Sequence, residues 1–141
     1  MIQQRLAAIR AELGAMEDDL MQYSFLVELS AYVDPHQPEL MQDRYLHLGC
    51  QSRVWLKPDT ENGLFHMKAT SDTMLIRGVL YIMMELYNGL PPEEIAAEKF
   101  DFLSECGISG HFSGARVSGI ASITDAVRAY CRRLSESAGT A

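Results

Sequence analysis

The spacing of apolar residues predicts two helices in the first quarter of the chain. Apolar side chains recur every three or four positions through residues 2–13, which is typical of one face of a helix. The same period runs from about residue 18 to residue 32. Pro35 and Pro38 follow it closely, and because two prolines so near each other cannot continue a helix, they predict its end.

The middle of the chain changes to a pattern that is typical of strands. Residues 45–48 form a short apolar segment, residues 53–57 are β-branched and aromatic, and residues 65–70 alternate between apolar and polar side chains. Residues 58–63 end in Asn-Gly, a strong signal for a hairpin turn. These segments predict a three-stranded antiparallel sheet, with Cys50 on the turn between its first two strands.

The second half of the chain returns to helical spacing. Residues 73–88 are so apolar that they predict a helix buried on most of its circumference. Short helices are expected from Pro91 and over about residues 100–106, and a long one from about residue 115 to residue 134. Residues 135–141 are small and polar and predict a frayed tail. We therefore expect one α+β domain over residues 1–141, with helices packed on a small sheet.

Composition and charge narrow the possible functions. The chain has 141 residues, 48% of them hydrophobic, and a net charge of −7. Its 12 Lys and Arg residues form no long basic run, so we expect no binding to nucleic acid. The longest apolar run, Val79 to Met84, is too short to cross a membrane, and the N-terminus does not resemble a secretory signal. We expect a cytoplasmic protein without a membrane partner.

The three cysteines are the candidates for chemistry. No pair of them has Cys-x-x-Cys spacing and the four histidines do not pair at helical spacing, so neither a structural zinc site nor a disulfide framework is expected. Cys106 and Cys131 lie in helical segments, where a free cysteine usually packs as a small apolar residue. Cys50 follows Gly49 in a loop, with Arg53 close by to favour a thiolate. The residues alone leave a functional and a structural role for Cys50 equally open.

Three segments together resemble one protein family. Gly49 to Trp55 reads Gly-Cys-Gln-Ser-Arg-Val-Trp and resembles the GCxSxVW signature of the SufE/CsdE family of sulfur acceptors. Ser71-Asp72, followed by Ile76-Arg77-Gly78, is similar to the family's SDA…(K/R)G segment. Residues 111–120 resemble its HLSxxRxNGL segment. The order and spacing of the segments also match, and the resemblance covers about residues 10–134.

The resemblance implies a SufE/IscU-like fold and a role in sulfur transfer. The cysteine that matches Cys50 accepts persulfide sulfur from a cysteine desulfurase, a pyridoxal-phosphate enzyme of the SufS/CsdA type, and thereby speeds its turnover. The sulfur then passes to a downstream scaffold for iron–sulfur cluster assembly. Such a protein is a sulfur carrier rather than a stand-alone enzyme, and it needs neither a cofactor nor a metal ion of its own.

The resemblance also suggests site residues, each with a plainer alternative. Arg116 is expected to stabilise the Cys50 thiolate, or else to be a solvated arginine at a helix start. Asp72 belongs to the site or is a helix N-cap. His111 shuttles a proton or is a hydrogen-bonded structural histidine. The residues expected to shape the loop around the cysteine are Gly49, Gln51, Ser52 and Arg53.

The chain departs from the family pattern at three positions. Ser118 replaces the usual asparagine, Thr73 replaces the usual alanine, and His47 occupies a position that is commonly apolar. These changes bear on the details of the pocket and on the choice of partner. The identity of the desulfurase, the final destination of the sulfur and the oligomeric state, including a possible homodimer, stay open.

Three other functions remain as alternatives to sulfur acceptance. An iron–sulfur scaffold would need more clustered thiolates than this sequence shows. A non-covalent regulator of a desulfurase would not need Cys50 at all. A small hydrolase using Cys50 and His111 would need an orienting acid and an oxyanion hole, and no motif for either is visible.

Overall fold

A computed structural model describes residues 1–140, with residues 138–140 described by their backbone alone. This part of the chain contains six α-helices and one three-stranded antiparallel sheet, which confirms the α+β class. The helices are α1 (Ile2–Gly14), α2 (Asp19–Leu29), α3 (Met74–Tyr87), α4 (Pro92–Ala97), α5 (Phe102–Cys106) and α6 (Gly114–Thr140). The strands are β1 (Leu46–His47), β2 (Val54–Glu61) and β3 (Leu64–Ser71), in the order β1-β2-β3.

The hairpin between β2 and β3 is closed by the predicted Asn-Gly turn. Glu61 pairs with Leu64, so only Asn62 and Gly63 lie between the strands. Their φ angles are +55° and +80°, as a two-residue turn of type I′ requires. This turn matches the right-handed twist of the strands and sets the register of the whole hairpin.

Strand β2 is longer than the sequence predicts. The pattern of residue types predicts an end near Lys57, but the strand continues through Pro58 to Glu61. Pro58 faces Met67, whose backbone N–H and C=O point away from β2 and bond to the side chain of Asn88, at 2.9 and 3.2 Å. The proline therefore sits at a position where its missing N–H costs no hydrogen bond between the strands.

Helix α3 is the centre of the core. Eight of its residues are buried, as its apolar sequence predicts, and it packs against β3 and α2. The chain then returns along the free edge of β3, where the amide of Phe65 donates to Leu90 and its carbonyl accepts from Gly89, both at 2.8 Å. This return segment covers an edge that would otherwise expose unpaired backbone groups.

Gly78 allows α2 and α3 to approach closely. A Cβ atom at this position would overlap the backbone carbonyl oxygen of Leu26 in α2. The glycine of the Arg77-Gly78 segment is therefore required by helix packing. This segment carries part of the family resemblance, but its glycine serves the fold and not the chemistry of Cys50.

Two helix ends differ from the sequence predictions. The α-helical part of the second helix ends at Leu29, and one 3₁₀ turn over Ser30–Tyr32 completes the predicted stretch. Helix α6 continues past Leu134 to Thr140, because residues 135–140 contain no proline to stop it. Ala141 and the side chains of residues 138–140 lie outside the described residues, so the frayed tail stays a prediction. No helix in the described part is long and apolar enough to span a membrane.

Candidate functional site

The loop between β1 and β2 carries Cys50, as the sequence predicts. Cys50 is partly exposed, whereas Cys106 and Cys131 are buried in the core. Burial raises the pKa of each of these two thiols to about 12. Their predicted role as core residues is confirmed, and Cys50 is the cysteine whose surroundings permit chemistry in solution.

The Cys50 loop docks on the first half of helix α6. The Sγ atom of Cys50 donates a hydrogen bond of 3.2 Å to the carbonyl oxygen of Gly119. A Cβ atom at Gly119 would lie 3.2 Å from Cys50 Cα and 3.3 Å from its Sγ, so a larger residue would press on the loop. Gly49 precedes the cysteine with a φ of +120°, a backbone angle that favours glycine.

Ser52 and Arg116 fasten the other side of the loop. Arg116 Nη1 donates to Ser52 Oγ at 2.5 Å, and Ser52 Oγ also bonds Thr73 Oγ1 at 2.6 Å. The guanidinium of Arg116 is partly buried and lies close enough to Cys50 to favour its thiolate. Arg116 thus lies beside the Cys50 loop, and its role in stabilising the thiolate stays a prediction. Thr73 contributes a bond of its own.

Asp72 supports the backbone next to the loop and is not a helix N-cap. Its Oδ1 accepts from the amide of Arg53 at 3.1 Å and from the hydroxyl of Thr73 at 3.2 Å. The N-cap position of α3 belongs to Thr73, one residue later. The capping interpretation of Asp72 is therefore wrong, because its carboxylate is engaged by the segment that enters β2.

His111 does not line the Cys50 cleft. Its Nε2 atom bonds the side chain of Gln22 in α2 at 3.0 Å, and its ring lies 6.4 Å from that of Tyr23. This arrangement matches the structural alternative for His111. Gln51 and Arg53 are exposed beside the cysteine, and Ser118 is exposed on α6.

Burial dominates the ionisation of Cys50 in this docked position. It raises the pKa of the thiol above its ordinary value, while the nearby Ser122 hydroxyl and the charge of Arg116 act in the opposite direction. Burial in the docked position therefore favours the neutral thiol over the thiolate. A thiol also suits the Gly119 carbonyl, which can accept a hydrogen bond from S–H but would face a thiolate without one.

The comparison with known families identifies the chain. The family model SufE, described as an Fe-S metabolism associated domain, matches residues 7–131. The chain belongs to the SufE family. It is 30% identical over 115 residues to an uncharacterized SufE-like protein of Rhizobium etli, covering 75% of each chain. It is also 30% identical over 100 residues to the cysteine desulfuration protein SufE of Plasmodium vivax, covering 68% of this chain but only 40% of that relative.

A solved structure shares the fold of this SufE protein. The solution structure of a hypothetical protein from Thermus thermophilus superposes with a TM-score of 0.71 and covers 94% of this chain and 93% of the other. Sequence identity is 19%, so this likeness concerns the fold alone. Membership of the SufE family, in contrast, supports a role in sulfur transfer together with a cysteine desulfurase.

The cleft beside Cys50 in this SufE protein is narrow and mostly apolar. The space open to the centre of a water molecule is about 10 Å³, roughly room for one such molecule. One additional sulfur atom on Cys50 is about as large as a water molecule and would fill this space. The cleft is lined by Cys50, Gln51, Ser52, Val54, Ile76, Arg116, Gly119, Ile120 and Ile123.

Sequence reasoning missed two residues of this site. Gly119 lies within the segment that resembles the family, but nothing in the sequence pattern assigns it the role of the surface under Cys50. Ser122 lies one helical turn beyond it, outside that segment. The signal that could have linked Gly119 and Ser122 is their spacing, since residues three apart share one face of a helix. In the described residues, no three His, Cys, Asp or Glu side chains are grouped to hold a metal ion.

Replacing Gly119 with alanine is expected to loosen the docked loop. The new Cβ atom would be tighter against Cys50 than ordinary packing allows, and relief of about 1 kcal/mol of strain would shift the loop about fivefold toward the undocked form. Alkylation of Cys50 by iodoacetamide, followed by peptide mass spectrometry, should become several-fold faster. Gly114→Ala, in the same helix with nothing within 4 Å, is the matched control. An unchanged rate for Gly119→Ala would show that this contact does not hold the loop.

Proposed function

We propose that this SufE protein accepts sulfane sulfur on Cys50 from the persulfide of a cysteine desulfurase and thereby stimulates that enzyme. The partner is a pyridoxal-phosphate enzyme of the SufS/CsdA type, and the sulfur passes on to a scaffold for iron–sulfur cluster assembly. The observation that carries the proposal is the setting of Cys50, a partly exposed thiol on a loop held against α6 by a few polar contacts. The other two thiols are buried.

The chemistry is an exchange between two thiols that needs no added oxidant or reductant. The Cys50 thiolate attacks the terminal sulfur of the donor's persulfide, a new S–S bond forms at Cys50, and the donor cysteine leaves as a thiolate. The proton lost by Cys50 balances the one that the departing thiolate takes up. Because burial favours the protonated form of the docked thiol, we infer that deprotonation of Cys50 on α6 begins this step and that the loop then moves toward the donor.

The surroundings of the loop support such a movement. Leu48, two residues before Cys50, is 81% exposed, more than any other large hydrophobic residue in the described part of the chain. Gln51 and Arg53 are exposed on the other side of the cysteine. We propose that the desulfurase contacts this part of the loop and draws Cys50 out, and that the narrow cleft afterwards shields the persulfide.

The proposal also covers the compartment, the domain organisation and the oligomeric state of the protein. Free cysteines without a disulfide fit a reducing compartment, so we propose a cytoplasmic site of action. We also propose that residues 1–141 act as one sulfur-acceptor domain. A homodimer is compatible with this role, and the exchange between two thiols does not itself require one.

Mass spectrometry tests the proposal directly. The protein is incubated with a cysteine desulfurase and cysteine, and the intact mass and the Cys50 peptide are measured with and without a reductant. We expect a reductant-labile gain of one sulfur atom, about 32 Da, on Cys50, and no gain in Cys50→Ala. Absence of the adduct in the wild-type protein with desulfurases of both the SufS and CsdA types would overturn the proposal.

The alternatives have less support from the site. A cluster scaffold would need several thiolates in one place, yet Cys106 and Cys131 are buried in the core. A hydrolase using Cys50 and His111 would need the two side chains together, but His111 bonds Gln22. A purely non-covalent regulator is separated from a sulfur acceptor by the kinetic experiment described in the Discussion.

A further inference from the structure

Two side chains from different elements meet beside Cys50. Ser122 Oγ donates to the carbonyl oxygen of Gly119 at 2.6 Å, and Cys50 Sγ donates to the same oxygen at 3.2 Å. The hydroxyl and the sulfur therefore converge on a single atom. Ser122 Oγ also lies 2.8 Å from Nε2 of His47, the last residue of β1.

The pair lies directly beneath the loop that carries the cysteine. A Cβ atom at Gly49 would stand 3.2 Å from Ser122 Oγ and 3.9 Å from His47 Nε2. The two partners are 75 residues apart in sequence, so the contact is made by the fold.

Ionisation of Cys50 changes what the neighbouring groups can do. The thiol donates to the Gly119 carbonyl, but a thiolate has no proton to donate and needs a donor instead. The Ser122 hydroxyl can turn from the Gly119 carbonyl to the sulfur by rotation about its Cβ–Oγ bond. Its oxygen can accept a hydrogen bond from His47 in either orientation, and each bond in such a chain polarises the next.

We propose that His47 and Ser122 form a hydrogen-bonded pair that stabilises the Cys50 thiolate as the cysteine begins to accept sulfur. His47 Nε2–H donates to Ser122 Oγ, and Ser122 O–H donates to the sulfur. Ser122 acts on the reacting atom, and His47 is a positioning residue that acts through it. The inference rests on the sulfur-acceptor function proposed above and names two residues that support the reacting thiol.

The buried setting of His47 favours a neutral imidazole, which this arrangement uses. Burial lowers the pKa of His47. The cleft that His47 shares with β2 and α6 contains two arginines and no carboxylate among its described lining residues, and Arg116 lies beside the cysteine. A neutral ring protonated on Nε2 donates to Ser122 without any proton transfer. The ionisable groups of that cleft are Arg44, Tyr45, Tyr130 and Arg133.

The test measures the pKa of Cys50 in the free protein, from the pH dependence of its alkylation by iodoacetamide. Each of Ser122→Ala and His47→Leu should raise this pKa, so that alkylation at neutral pH slows by about tenfold. His47→Gln keeps an N–H donor and should recover most of the wild-type value. If His47 and Ser122 only held the loop in place, Ser122→Ala and His47→Leu would lower the pKa of Cys50 instead. The reason is that an undocked Cys50 is less buried.

Two matched control variants make the result decisive. Ser135→Ala removes a hydroxyl from the same helix that bonds a carbonyl four residues back, and His66→Leu removes a half-buried histidine from β3. Neither should move the pKa of Cys50. A pKa that is unchanged or lowered in Ser122→Ala and His47→Leu would overturn the pair's role. Since no desulfurase is present, failure here is distinguishable from failure of sulfur uptake by the wild-type protein.

Discussion

Replacing Cys50 with alanine is expected to abolish the stimulation of the desulfurase together with the uptake of sulfur. No other thiol in the chain can substitute, because Cys106 and Cys131 are buried and their pKa values of about 12 leave roughly one molecule in 100,000 as thiolate at pH 7. Sulfur carried by the variant should fall by at least about a hundredfold, since the thiolate is the attacking group. Desulfurase turnover is measured as alanine released from cysteine.

The control for this experiment is a cysteine that packs in the core. Cys131→Ala removes a thiol of the same size without touching the loop, and it should keep the stimulation at temperatures where it is folded. If Cys50→Ala still stimulates the desulfurase as well as the wild-type protein does, the chain acts as a non-covalent regulator. In that case sulfur transfer through Cys50 would be incidental to its function.

Replacing Gly78 with alanine is expected to cause a large loss of stability. The added methyl group would overlap the carbonyl oxygen of Leu26, which is backbone and cannot move aside without shifting helix α2. Alanine gains up to about 1 kcal/mol from its higher helix propensity, but overpacking against backbone costs about 3 kcal/mol. The free energy of unfolding should fall by about 2 to 3 kcal/mol, and Tm by very roughly 10 °C.

Gly14→Ala is the matched control for this measurement. Gly14 ends α1 and a Cβ atom there would meet nothing within 4 Å, so the variant should be as stable as the wild-type protein or slightly more so. Urea unfolding followed by circular dichroism compares the two variants. Equal stability of Gly78→Ala and the wild-type protein would contradict the close approach of α2 and α3.

The local signals in the sequence predicted local structure well. The Asn62-Gly63 turn has the positive φ angles that its residue types favour, and the apolar period of residues 73–88 corresponds to the buried helix α3. Such features depend on neighbours within a few residues. Strand β2 was predicted too short, because whether Pro58 breaks a strand depends on the direction in which Met67 points its hydrogen-bonding groups.

The site residues were found by resemblance and corrected by geometry. The position of Arg116 next to Ser52 agrees with the expected site, whereas Asp72 bonds the Arg53 amide in place of capping α3. His111 carries a side chain suited to proton transfer, but its hydrogen bond goes to Gln22. Residue types and their spacing indicate which groups are available for chemistry. They do not indicate which of these groups are in contact in the folded protein.

The sequence by itself determined that Cys50 stands apart from the other two cysteines, because the glycine before it and the strand patterns on either side predict a loop. Only the tertiary structure decided how that thiol behaves. Its partner Gly119 is 69 residues away, and Ser122 and His47 meet beside it from a helix and a strand. Burial and hydrogen bonding are sums over such distant contacts, so the sequence around Cys50 does not reveal that burial raises the pKa of its docked thiol.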